Sequence, residues 1–160
     1  MTTGQQLAHL TGHTSVVYAV ACTEIDGRPV TITGSGDGSV GIWDLGAATK
    51  RVRSSRFRWF RRARTSPVFG VSAVLAGHTG WVSTVACLTV DGRTVVATVS
   101  DDRTLRVWDP RTQTVLAVID CPAPPRAVAC WDGGIVVGFG SDIAVLTPPQ
   151  PEPETRAVQR

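Results

Sequence analysis

His13, Ser35 and Asp37 recur as His78, Ser100 and Asp102, in the same order and at the same offsets. Serine, histidine and aspartate are the parts of an acyl-transfer triad, in which the histidine takes the serine proton and the acid orients the histidine. Three points oppose a hydrolase. A triad needs one site, whereas this set occurs twice in one frame. Ser-x-Asp puts both groups on one turn, where the acid cannot easily reach the side of the imidazole away from the serine. No Gly-x-Ser-x-Gly elbow presents an exposed nucleophile. The sequence holds no phosphate-binding loop and no metal box either. The expectation is a chain without catalytic residues, cofactor or metal.

The four cysteines agree with that. Cys22, Cys87, Cys121 and Cys130 form no C-x-x-C pair, and no zinc-type spacing is present. Three of them end the same phrase, Val-Ala-Cys, at 20–22, 85–87 and 128–130. A small apolar residue recurring at one place in a repeat reads as a core position.

The elements that must position these residues follow from the repeat itself. Leu-x-Gly-His occurs at 10–13 and 75–78, and Trp-Asp at 43–44 and 108–109, each His-to-Trp interval being 30 residues. The intervening segments align without a gap. Each unit predicts an apolar, β-branched first strand (16–22; 81–87) and an Asp-Gly hairpin turn (26–27; 91–92). A second strand (30–34; 94–99) and a third ending at Trp43 or Trp108 (39–43; 104–108) follow. Further strands are expected at 6–10, 72–75 and 114–119, and three more at 126–130, 135–139 and 142–146. Helical periodicity is absent.

Short strands in a Gly-His…Trp-Asp frame resemble the WD-repeat (Trp-Asp repeat) β-propeller family, as two full repeats and one degenerate C-terminal repeat in which Cys121-Pro122 replaces Gly-His. The resemblance covers 5–147. It implies an all-β, partial propeller of about three four-stranded antiparallel blades, an open arc or half of a closed ring. Blade 1 spans about 14–75, with a basic insertion at about 50–70, and blade 2 about 79–119. Blade 3 spans about 125–147 and would be completed by the strand at 6–10; a Pro-rich tail at 148–160 reads as disordered. The family also implies that each His, Ser, Asp and Trp set (His13, Ser35, Asp37, Trp43; His78, Ser100, Asp102, Trp108) is a structural tetrad. In it Asp accepts from His, His contacts Ser, and Ser reaches the indole N–H. Three blades are too few for a ring, since closed propellers use 4–8. The chain is then either the C-terminal part of a longer propeller, or two copies form a six-bladed homodimer with exchanged outer strands.

Function follows as binding. A protein-interaction scaffold with partners of unknown identity is the first expectation. Its face, carried over from the family, includes Val16, Tyr18, Gly36, Trp81, Ser83 and Asp101. Trp81 is either an exposed hot spot or packed on its neighbouring blade. The alternative is binding of nucleic acid or an anionic membrane through Lys50–Arg64. That run carries Arg51, Arg53, Arg56, Arg58, Arg61, Arg62 and Arg64, interleaved with Phe57, Trp59 and Phe60. Arginine clusters neutralise phosphates and aromatics stack on bases. A solvated loop, easily cut by trypsin, is the competing reading of the same run. No basic-then-apolar leader and no stretch of ~20 apolar residues is seen, so the expected compartment is the cytoplasm.

Overall fold

A computed structural model of the chain describes residues 8–46, 68–70, 72–90, 92–131 and 133–147. Among them the alternation of apolar and polar residues produces strands joined by tight turns. β1 (His9–Thr11) is followed by β2 (Val17–Ile25), β3 (Arg28–Ser35), β4 (Val40–Asp44), β5 (Val68–Gly70) and β6 (Ala73–Leu75). The second repeat supplies β7 (Val82–Val90), β8 (Arg93–Ser100), β9 (Thr104–Asp109) and β10 (Thr114–Asp120). The third supplies β11 (Pro125–Trp131), β12 (Gly134–Phe139) and β13 (Asp142–Leu146). Asp26 and Gly27 close the β2–β3 hairpin with φ of 53° and 69°. A two-residue turn with both φ positive matches the right-handed twist of its strands, and Asp-Gly adopts it at little cost.

Three antiparallel sheets result, in the orders β2-β3-β4-β6, β7-β8-β9-β10 and β11-β12-β13. Each sheet is one blade of a partial β-propeller. The third has three strands, one fewer than a full blade, and β13 carries no outer neighbour among the described residues.

Alternate residues of each strand face opposite neighbours. Ile32, Val40, Ile42 and Leu75 of blade 1 pack on Val82, Val85, Val96 and Trp108 of blade 2. On its other side blade 2 sends Ala97, Val99 and Leu105 against Val128, Ile135 and Val137 of blade 3. Blade 2 is therefore covered on both faces, and the outer blades on one each. Polar stitches join the blades as well: Thr94 Oγ1 donates to the Glu24 carbonyl at 2.7 Å, and Thr84 Oγ1 to the Arg126 carbonyl at 2.8 Å.

The N-terminal strand, expected at 6–10, runs His9–Thr11. It pairs in parallel with β5, His9 opposite Val68 and Thr11 opposite Gly70. β5 lies at the end of the stretch expected as the basic insertion, about 50–70. Among the described residues β1 makes no pair with β13. The basic run 50–64 and the tail 148–160 lie outside the described residues.

Candidate functional site

The two polar sets form at matching places, where the loop entering each blade meets the turn between its second and third strands. In blade 2, His78 Nδ1 donates to Asp102 Oδ2 at 2.9 Å, and His78 Nε2 lies 2.7 Å from Thr98 Oγ1. Trp108 Nε1 donates to the same threonine oxygen at 2.8 Å. Thr98 therefore accepts from the indole and gives its own proton to His78 Nε2, which keeps the ring neutral with its proton on Nδ1. Blade 1 repeats the arrangement: His13 to Asp37 at 3.1 Å, His13 Nε2 to Thr33 at 2.7 Å, and Trp43 to Thr33 at 2.7 Å.

The bridging hydroxyl is thus threonine, and the expected role of Ser35 and Ser100 is corrected. Each serine oxygen instead accepts the backbone N–H of Asp37 or Asp102, both at 3.2 Å. Strand register is the cause. Thr31 sits directly opposite Trp43 and Thr33 is its diagonal neighbour, whereas Ser35 lies a further pair along the ladder, out of the indole's reach.

Both acids are held as carboxylates. Burial alone would raise the Asp102 pKa. Hydrogen bonds from the Thr104 hydroxyl, His78 and the Thr79 N–H outweigh it and bring the value down to about 2. Asp37 is also lowered, its burial being overcome by Ser39, the Thr14 N–H and His13. His78 moves down from 6.5, chiefly because its burial disfavours the imidazolium. The Asp–His–Thr relay has the connectivity of a catalytic triad, yet Thr98 is fully buried and already receives the Trp108 N–H. A substrate carbonyl has no path to that oxygen. Among the described residues every buried side-chain nitrogen and oxygen has a partner, as a network that fixes a loop to a blade requires.

The candidate interaction residues gather on one rim. Tyr18 of blade 1 stacks on Trp81 of blade 2, ring centroids 5.7 Å apart and planes at 19°. Trp81 thus meets both readings at once: it packs on the neighbouring blade and stays 55% exposed. Gly36 donates its N–H to the Val16 carbonyl at 2.9 Å. A Cβ there would fall 3.1 Å from Tyr18 Cε2, so glycine leaves the tyrosine its place. Asp101 N–H donates to the Trp81 carbonyl at 3.0 Å, and its carboxylate receives Arg126 Nη1 at 2.6 Å. Ser83 is turned inward, its hydroxyl directed at the Pro125 and Val99 carbonyls, and joins blades 2 and 3 instead of facing outward. Arg126 was missing from the sequence reading. The Val-Ala-Cys phrase at 128–130 sets it at the place of Tyr18 and Ser83 in the first two repeats, but the third repeat has lost the Gly-His and Trp-Asp marks from which the rim was carried over.

Successive blades with a buried His–Asp relay and a Trp-Asp strand end define a WD-type propeller. The family described as WD domain, G-beta repeat (WD40) matches residues 4–44 and 69–109, just over half of the chain. The chain belongs to the WD40 repeat family. Among solved structures it is similar to the WD40 beta propeller domain of Doa1, with a TM-score of 0.60 and 20% identity. That match covers 86% of this chain and 38% of the other, and at this identity it shows the fold alone. No curated protein matches the sequence.

Proposed function

We propose that this chain is a non-catalytic protein-interaction scaffold whose recognition surface is the rim formed by Val16, Tyr18, Trp81, Asp101 and Arg126. WD40 domains generally mediate protein–protein contacts, which supports the class. The observation that carries the surface is the Tyr18–Trp81 stack. Two aromatic rings from different blades are held rigidly and half-exposed, beside the opposite charges of Asp101 and Arg126. Rigid aromatics surrounded by polar groups lose little side-chain entropy on binding and make good anchors.

Selection of a random peptide library on the 160-residue chain tests the reading. Selected peptides should lose about thirtyfold or more in affinity for Trp81→Ala, with circular dichroism unchanged. Peptides that bind Trp81→Ala and Tyr18→Ala as tightly as the parent would place recognition elsewhere.

A further inference from the structure

Among the described residues the two outer blades each leave one face open, and those faces are as apolar as the buried ones. Val17 and Val20 occupy in blade 1 the places that Val82 and Val85 occupy in blade 2, 65 residues later. Val82 and Val85 are 0% and 7% exposed because blade 1 covers them, whereas Val17 and Val20 are 44% and 63% exposed. Cys22 continues the same open face and is exposed, while its counterpart Cys87 is half-buried.

At the other end of the arc, strand register places Ala127, Ala129, Val136, Gly138, Ile143 and Val145 on the uncovered face of blade 3. The same register applied to blade 1 gives Ala19, Ala21, Ile32, Gly34, Val40 and Ile42. These are the residues that receive Val82 and Val85. The two sets match in order and almost in composition, and the glycine match is the informative one. A Cβ on Gly34 would fall 2.6 Å from Val82 and 3.1 Å from Val85, so its absence lets those valines seat. A Cβ on Gly138 would meet only Ala127, at 3.6 Å. The third blade carries a seat for two valines, and nothing among the described residues fills it.

We infer that the open face of blade 3 docks on Val17, Val20 and Cys22 of a second copy of this chain, and reciprocally, so that two copies close a six-bladed ring. Blade number favours two copies. The described residues of one copy form three blades and those of three copies nine, both outside the 4–8 of closed propellers, whereas two give six. The contact is face on face and uses no exchanged strand. It is also independent of the rim proposed for partner binding.

Sedimentation of the 160-residue chain at micromolar concentration should show a two-chain species. Val20→Arg and Ile143→Asp, each at an exposed position, should raise the dissociation constant about a hundredfold or more by burying an unpaired charge. Each variant alone should sediment as a folded monomer. An equimolar mixture of the two should recover the two-chain species, because one of its interfaces is unaltered and the other pairs Arg with Asp. Gly138→Val, whose Cβ makes only an ordinary contact with Ala127 of its own blade while the side chain fills the seat, should behave like Val20→Arg. Cys22 labelling by a maleimide should be slow in the parent and fast in the Val20→Arg monomer. Cys87 and Cys130 do not confuse the readout, since burial pushes their thiols up to about 11, and Cys121 is buried. A monomeric or polydisperse parent chain, whose open faces then await blades of another polypeptide, overturns the inference. So does failure of the mixture to recover the two-chain species.

Discussion

The Trp108 indole donates its N–H to Thr98 at 2.8 Å, and the same threonine oxygen faces His78 at 2.7 Å. One buried hydroxyl thereby serves two partners from different segments of the blade. Thr98→Val keeps the shape and strands both partners, and is expected to cost about 2–4 kcal/mol. Ser100→Ala removes only a 3.2 Å bond to the Asp102 N–H and should cost about 1 kcal/mol. Urea unfolding of the two variants measures the difference. Equal losses would restore the serine to the relay.

Stability should fall in two stages as pH is lowered. His78 has a folded pKa below 6.5, so below that pH the unfolded chain takes up a proton that the folded chain resists, and stability declines as pH falls. Asp102, at about 2 in the fold against an ordinary 3.8, acts in a lower window. Its contribution is complete above about pH 5 and is lost as pH falls towards 2; Asp37 adds to it in the same direction. Unfolding midpoints between pH 8 and pH 2 should show both stages; His78→Gln should remove the upper one and also weaken the lower, because His78 is one of the groups that hold Asp102 down. A parent profile that is flat from pH 7 to pH 5 would contradict the assignment to His78.

The two tryptophans that open and close the second repeat should respond oppositely to truncation. Trp108 is 1% exposed and lies in the core between blades, so Trp108→Ala should cost about 3–5 kcal/mol. Trp81 loses mainly its stack on Tyr18, about 0.5–1.5 kcal/mol. Thermal unfolding separates them, and a large loss in Trp81→Ala would make it a structural residue.

Much of this was legible before any coordinates. Period-two alternation and Asp-Gly turns placed the strands of all three blades to within a few residues, because those signals are local. His, Asp and Trp of each relay were readable from the repeat frame. The bridging threonine was not, since Thr33 and Ser35 both point to Trp43's side of the sheet and only the register chooses between them. The Tyr18–Trp81 stack and the Asp101–Arg126 pair join different blades, and nothing within one repeat announces such contacts. β5 was hidden because a three-residue strand pairing far along the chain leaves no periodic trace.

Arg103 sits at φ 65° in the turn where the first repeat has Gly38 at φ 80°. A side chain in this region costs roughly 1–2 kcal/mol, partly offset by the greater freedom that glycine has when unfolded. Arg103→Gly should therefore stabilise the chain by about 0.5–1 kcal/mol, a rise of about 1–4 °C in Tm. A lower Tm would mean that the arginine side chain makes contacts worth more than its strain.

The pairing of Val40–Ile42 with Ala73–Leu75 bears on the order in which the blades assemble. In blade 2 the third and outer strands are joined across Asp109 to Thr114, five positions, whereas in blade 1 the chain runs from Asp44 to Ala73, 29 positions, before the outer strand returns. Closing the longer loop costs about 1.5 kcal/mol more chain entropy, and that cost falls before any contact made by β6 can offset it. Blade 2 should be complete on the folding pathway while the outer edge of blade 1 is still open. The central blade, flanked by both neighbours, then serves as the template on which the others set.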